Sequence, residues 1–513
     1  MTNDSHTHSH AGVAAGHEET AKAAAEILGT GGNAFDAAIA GFLASCVVEP
    51  VLSSLGGGGF MIAHVPDEPV RTFDFFTQTP RVAALEKDVD FHAITADFGT
   101  AQQDFHIGLG SVATPGAVAG IFDIHRELGR LPMTEIVRPA VRLAKIGVPI
   151  NAFQAYLLSV VEPIYVETAE GRQQYCRGAL GGGEQDIKVA GDTMVSPELA
   201  GFLEVLAREG PDLFYKGEVA DQIEALSGCT INKVDLAAYE VVHRRPIESV
   251  INNHLISINP PPAIGGALVS LALSMLDGVD NDGLGFGDAG HLQALVSIMA
   301  ACNDARRQSG IDLDPIKGAE MLHDIAQHQP AYRGTTHVSV ADHDGNIAAM
   351  TVSNGEGCGS IIPGTGVMLN NMLGEEDLNA AGFFDWPLGT RMSSMMSPGI
   401  MASGDGYVTG FGSGGSNRIR SAITQFITNV ALFGMDLSDA VAVPRLHLEG
   451  DKLDTEPGFS DAGIAALRSA YPDASIWPGP NMFFGGVHAI QRGPSGVVIG
   501  AADHRRGGVF RPV

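Results

Sequence analysis

Cysteine is scarce in this chain, five in 513 residues, and Cys46, Cys176, Cys229, Cys302 and Cys358 lie far apart with no CxxC pair among them. That spacing excludes a disulfide framework and a zinc ribbon and fits a reducing compartment. Basic residues are outnumbered, 31 Lys and Arg against 59 Asp and Glu, for a formal net charge of −28. Such a field repels phosphate backbones and anionic membranes, so neither nucleic acid nor a membrane is an expected partner. Long apolar runs are missing too. The longest, Ala37 to Val48, is interrupted by Gly41 and Ser45 and is too short to span a bilayer. The first twenty residues lack the basic start and apolar run of a signal peptide, and a cytoplasmic protein is expected. His6, His8 and His10 alternate there and read as an incidental run on a disordered terminus rather than a metal site. HExxH, G-x-S-x-G and Walker signatures are absent, and no metal or cofactor is expected.

What is present is material for a core: 45% hydrophobic and 18% charged residues describe a globular chain. Helical patterns run from His17 to Leu28, from an Asn33 cap through Val48, and over Pro115–Leu128 and Thr134–Ile146. Others cover Pro197–Arg208 with Ser196 as cap, Gly265–Leu276, His291–Arg307 and Ile316–Gln327. Phe60 to Val65 reads as a strand. Before it, Gly56 to Gly59 suggests a tight backbone passage, since no Lys-Ser/Thr follows to make a phosphate cradle. No repeat, heptad or low-complexity linker divides the chain, so one compact unit is expected. The texture changes at His328 to Gly334, a Pro- and Gly-bearing loop. A hairpin then begins abruptly, Thr335 to Asp342 returning as Asn346 to Ser353 around Asp344-Gly345.

A threonine hydroxyl is a poor nucleophile without a base, and a Thr at a chain terminus can use its own α-amine as that base. Thr335 becomes such a terminus if the chain is cut after Gly334, and flexible Gly334 lets its carbonyl meet the Thr335 hydroxyl. Alone, Gly-Thr-Thr is also an ordinary strand start. His337 at strand spacing reads as a packed structural residue rather than a base.

The surrounding motifs carry more. Gly31 to Ala38, Glu49-Pro50 with the Gly56 to Phe60 run, Val112 to Gly116, Asp235 to Tyr239, and Asn259 to Pro262 with Gly265-Gly266 occur in that order. They are followed by Gly334 to Val340, Pro363 to Gly366 with Leu369-Asn370-Asn371, Ser394 to Pro398, and Gly412 to Gly415. In this order they resemble the γ-glutamyltransferase (glutathione hydrolase) family of N-terminal nucleophile hydrolases, over nearly the whole chain. The resemblance implies a four-layer αββα sandwich, made as one precursor and cut before Thr335 into pieces of 334 and 179 residues, 1–334 and 335–513. The two stay together as one compact domain; a further homo-oligomer is left open. Thr335 is then nucleophile and its new amine the base. Ser353 stands where the family places a hydroxyl, usually Thr, that orients the nucleophile. Gly414 and Gly415 match the oxyanion pair, although the preceding Pro is missing and Asn417 is extra; a plain turn is the alternative.

The departures concern the substrate. The family arginine that clamps a glutamyl α-carboxylate aligns with Phe76, in Asp74 to Pro80, and a phenyl ring cannot form that bidentate pair. The paired serines that assist align as Ser394 and Met395. On the amine side, Asn354-Gly355-Glu356 and Glu375 occupy the family's contact positions, and both carboxylates also read as ordinary exposed loop residues. Arg71, Arg81 and Arg391 are the nearby cations to consider as substitutes for the lost arginine. The leading reading is a self-processing Thr hydrolase that cleaves a small-molecule γ-glutamyl-type amide and passes the acyl group to water or an amine. A non-glutamyl amidase or acylase, and an unprocessed binding protein, are the rivals.

Overall fold

The computed structural model describes residues 9–97, 102–178, 186–277, 284–310, 314–321, 334–379 and 381–513. Two antiparallel sheets face one another. The first contains β1 (Gly12–Ala15), β2 (Gly58–His64), β3 (Arg71–Phe75) and β4 (Val242–Arg244). The second begins with β5 (Ile247–Ile251) and β6 (His254–Ile258); β7 (Thr336–Ala341) and β8 (Ile347–Ser353) return to the first. Then come β9 (Gly399–Ser403), β10 (Val408–Gly414), β11 (Gly486–Arg492) and β12 (Val498–Ala502) in the second, and β13 (Val509–Pro512) in the first. Strand orders are β13-β1-β7-β8-β2-β3-β4 and β12-β11-β10-β9-β6-β5. β7 and β8 pack across on β10, which places the Thr335 hairpin at the centre of the sandwich.

Helices cover both outer faces. α1 (Glu18–Gly29) and α2 (Ala34–Val48) lie over the first sheet; α3 (Ile264–Asp277) and α4 (Arg418–Ala431) lie over the second. This is the expected αββα sandwich. α1 starts at His17, whose Nδ1 accepts from the Glu19 N–H at 3.1 Å. α2 starts in a reciprocal capping box, the Asn33 side chain accepting from Asp36 N–H and the Asp36 side chain from Asn33 N–H. Every residue of α2 is buried, as befits a helix apolar on all faces between a sheet and an outer helical layer.

Some local expectations are corrected. Thr134–Ile146 is two helices, Met133–Ile136 and Arg138–Ile146, because Pro139 removes an N–H from the first turn of the second. Ser196 precedes its helix but makes no cap bond; its Oγ accepts from Gln174 Nε2 instead. The helix expected at Ile316–Gln327 is present as Pro315–Met321, and its remainder, like His328 to Arg333, His6 and His8, lies outside the described residues. All five cysteines are free. Among the described residues no helix is long and apolar enough to cross a membrane.

Candidate active site

Register builds the site. In the first sheet Thr336 opposes Val352, Ser353 opposes Gly58, and Gly59 opposes Phe75. The start of β7, the end of β8, the start of β2 and the end of β3 therefore meet at one rim. The end of β10 joins them from the second sheet, since Gly414 packs on the Thr335 carbonyl. A Cβ at Gly414 would stand 2.3 Å from that oxygen, so only glycine fits. The Gly56 to Gly59 passage works the same way. A Cβ at Gly57 would stand 2.2 Å from the Ser353 oxygen, and one at Gly56 2.3 Å from the Met368 oxygen.

The Gly334-Thr335 junction is buried and held from both sides. Glu356 Oε1 accepts from the Gly334 N–H at 2.9 Å, and Ser353 Oγ donates to the Gly334 carbonyl at 2.5 Å. Ser353 Oγ in turn accepts from the Gly355 N–H at 3.1 Å, which fixes the hydroxyl rotor toward the carbonyl. Thr335 itself is only 4% exposed. The next residue is tied down as well: Thr336 Oγ1 donates to Glu49 Oε2 at 2.9 Å, and Thr20 Oγ1 to Glu49 Oε1 at 2.7 Å. The Glu49-Pro50 motif thus anchors the start of β7 to α1.

His337 is structural, as its spacing suggests. Its Nδ1 bonds Thr351 Oγ1 at 2.7 Å and its Nε2 bonds Ser339 Oγ at 2.8 Å, and burial holds its pKa well below the ordinary histidine value. Gly414 ends β10 and Gly415, at φ +129°, turns the chain into α4. The Gly414 backbone lies against the Thr335 carbonyl, beside the junction, with Gly415 next along the chain.

On the substrate side, Phe76 stacks on Phe60 at 5.5 Å and shares one apolar cluster with Met372, Met392, Met395 and Met396. Phe76 and Met395, which the family resemblance aligns with carboxylate-clamp positions, thus lie in one apolar cluster. Ser394 remains polar, and its Oγ accepts from the Met396 N–H at 3.1 Å. The expectation that Glu356 and Glu375 are exposed is wrong: they are 2% and 3% exposed. Glu356 N–H donates to Asn371 Oδ1 at 2.9 Å, and Glu375 Oε1 lies against Gly355, 2.5 Å from where its Cβ would be. Loop carboxylates are buried here because the Gly334 and Gly355 backbone packs against them.

None of the three nearby cations is free to replace the arginine. Arg391 donates to the Phe76 carbonyl, the Tyr239 hydroxyl and the Glu240 carbonyl, and its Nε lies 3.5 Å from Asp74 Oδ1. Arg244 holds the other Asp74 oxygen at 2.7 Å. Arg81 donates to the Ala238 carbonyl at 3.3 Å. Arg71 pairs with Glu68 and opposes Ala63 in β2, about 16 Å along the strand from Gly58 at 3.3 Å per residue. Sequence reading missed Arg418 and Arg506, which line a cavity beside Gly334 with Glu356, Met482 and Phe483. Their distance along the chain from Thr335 gave no signal.

A sandwich of this order, with a threonine opening a central strand and a glycine pair from the facing sheet upon it, defines an N-terminal nucleophile hydrolase. The gamma-glutamyltranspeptidase family model matches residues 20–329 and 311–513. The chain is 30% identical to the glutathione hydrolase proenzyme of Escherichia coli K12, covering 94% of this chain and 88% of that protein. It is 29% identical to the acylase ACY 1 proenzyme of Pseudomonas sp. SE83, covering 97% and 92%. The solved cephalosporin acylase from Bacillus halodurans shares the fold, with a TM-score of 0.77 at 22% identity over 98% of this chain and 96% of that one. The chain belongs to the gamma-glutamyltranspeptidase family and is an amidohydrolase of that kind.

Proposed function

We propose that this protein is made as a single precursor that cuts itself before Thr335. The 334- and 179-residue pieces stay together as one compact domain, in a reducing, cytoplasmic setting that suits its five free cysteines. Thr335 Oγ attacks the Gly334 carbonyl, the C–N bond breaks as the Thr335 nitrogen takes a proton and leaves as the free α-amine, and water then hydrolyses the Gly334–Oγ ester to release the Gly334 carboxylate and restore the Thr335 hydroxyl. In turnover the same hydroxyl attacks a small-molecule γ-glutamyl-type amide. The α-amine takes the hydroxyl proton and gives it to the departing amine, and water or an acceptor amine then takes the acyl group from Thr335. Gly414 and Gly415 stabilise the oxyanion, and Ser353 orients the reacting groups. The observation that carries this reading is the grip on Gly334, its N–H on Glu356 and its carbonyl on Ser353.

Phe76 and Met395 in one apolar cluster favour a second reading, an acylase whose acyl group lacks a glutamate α-carboxylate at that place. Intact mass and a denaturing gel test the first step: two fragments, the smaller beginning with Thr335, and a single chain for Thr335→Ala. One stable 53.5 kDa band from the unsubstituted protein would make it an unprocessed binder. A substrate panel on the processed protein then separates glutamyl from non-glutamyl donors.

A further inference from the structure

A buried guanidinium keeps its charge and needs carboxylates or carbonyls for its five N–H groups. Three buried arginines follow that rule. Arg420 meets Glu449 at 2.6 Å, Arg445 meets Asp503 at 2.6 Å, and Arg505 is held by Glu456 at 2.5 Å and Asp503 at 3.2 Å. Arg506 breaks it. Its side chain is nine-tenths or more buried and Nη2 donates to the Met482 carbonyl at 3.3 Å, but Nε and Nη1 have no hydrogen-bond partner among the described residues.

The guanidinium lies against the glycine pair: Nη1 and Nη2 stand 3.2 and 3.4 Å from where Cβ atoms on Gly414 and Gly415 would be. Burial, then the neighbouring Arg418, pushes its pKa down to about 10, which leaves it a cation at neutral pH. Arg418 sits over the Phe483 ring at 4.8 Å, and both arginines line one cavity with Gly334 and Glu356. Its volume is about 30 Å³, room for two waters or the two oxygens of one carboxylate.

Gly334 identifies the part of a substrate that comes here. In self-cleavage Gly334 is the acyl group transferred to Thr335, and in turnover the substrate's acyl group takes its place. This step rests on the reading of Thr335 as nucleophile. The walls around Gly334 are therefore the walls an acyl chain meets. We infer that Arg506, backed by Arg418, is a specificity-determining anion subsite that receives a carboxylate carried on the acyl chain. It lies on the opposite side of Thr335 from Phe76: Phe76 follows β3, three strands from β7, whereas Arg506 precedes β13, two strands from β7 the other way. The substrate class is the monoamide of a dicarboxylic acid, with its free carboxylate bound by Arg506 and not at the apolar Phe76–Met395 cluster.

The test uses processed wild-type, Arg506→Gln and Arg506→Lys proteins, each confirmed by mass to have a small fragment beginning at Thr335. Two matched pairs of anilides are compared. Glutaryl anilide and its terminal carboxamide differ in the acyl-side carboxylate; butanoyl 4-nitroanilide and butanoyl 3-carboxy-4-nitroanilide differ on the leaving side. Wild type should prefer the glutaryl compound by roughly 100-fold in kcat/KM, mostly through KM, as expected when a buried charge gains its partner. Arg506→Gln should reduce that ratio to below about 5-fold, and Arg506→Lys should keep part of it without the bidentate geometry. The second pair should show no comparable ratio. The proposal is overturned by an absent preference in wild type, by one that survives in Arg506→Gln, or by one confined to the leaving side. Should Arg506→Gln not process itself, glutarate and glutaramide are compared as competitive inhibitors of wild type. Glutarate must bind at least about 10-fold more tightly, and equal binding overturns the proposal. Failure of the nucleophile reading shows separately, as a Thr335→Ala protein that still turns over the anilides.

Discussion

Ser353→Ala tests the cleavage chemistry at its most local point. The Ser353 hydroxyl donates to the carbonyl of the bond to be cut at 2.5 Å and is aimed by the Gly355 N–H behind it. As Thr335 Oγ adds to that carbonyl, negative charge gathers on the same oxygen and the hydrogen bond strengthens. Losing one preorganised donor of this kind raises an acyl-transfer barrier by about 3 to 4 kcal/mol, or 10² to 10³ in rate. The folded precursor loses less, because an unmade buried hydrogen bond costs about 1 to 3 kcal/mol. The assay follows conversion of the 513-residue chain to its two fragments by gel and mass after rapid purification. Ser353→Ala should process at least about 100-fold more slowly than wild type, while its melting temperature falls only modestly. Ser353→Thr, which keeps the hydroxyl, should restore most of the rate. Processing of Ser353→Ala at the wild-type rate would refute the role assigned to this bond, and failure of Ser353→Thr to rescue would show that packing matters more than the hydroxyl.

Three other outcomes are expected. With the Thr335 amine as base, kcat/KM of the processed enzyme should rise with pH through an apparent value near the ordinary α-amine range of about 7.7 to 8.0; a rising limb near pH 4 would assign the base to a carboxylate. Burial pushes His488 down to about 4, its Nδ1 accepting from the Asp503 N–H at 3.2 Å. The unfolded chain then binds the extra proton between pH 6.5 and 4, so stability is full above that window and falls by about 3 kcal/mol as pH drops through it. Thermal melts at pH 7.5 and 5 should show the loss, and His488→Gln should make it smaller by the His488 share while the similarly buried His337 keeps its own. Phe76→Ala should cost about 3 to 5 kcal/mol in denaturant unfolding, because a fully buried ring stacked on Phe60 leaves a cavity; a loss under 1 kcal/mol would mean that the ring is not part of the packed cluster.

What was legible in the sequence was local. The Asn33 cap, the tight glycine passage and the Thr335 hairpin each follow from a few adjacent residues whose backbone demands are strong. The family pattern singled out Ser353, Gly414 and Gly415 position by position, and the register of the two sheets brings Ser353 and Gly414 to one rim with Thr335. What was illegible depends on distant partners. Glu356 and Glu375 look like exposed loop residues until the backbone of Gly334 and Gly355 is seen packed on them. Arg391 looks free until Asp74, Tyr239 and two carbonyls are found to occupy it. Arg506 carries no local pattern at all, because what distinguishes it is a partner it lacks.

In the proposed function, catalysis and recognition rest on different physical supports, which lets one change without the other. Thr335, Ser353 and the glycine pair are placed by strand register and backbone contact, so side-chain changes elsewhere barely move them. Phe76, Glu356, Glu375, Met395 and Arg506 all sit on connections between strands, where substitutions alter charge and shape without disturbing the ladders. With Phe76 and Met395 in one apolar cluster, that place offers a carboxylate no cation, while the backbone contacts that hold Thr335, Ser353 and Gly414 together do not depend on it. A chain that lost only the clamp would bind any apolar acyl group. This one also holds, on the far side of Thr335, the buried Arg506 guanidinium, whose Nε and Nη1 have no hydrogen-bond partner among the described residues, and the proposed anion subsite would give that charge the partner its burial calls for.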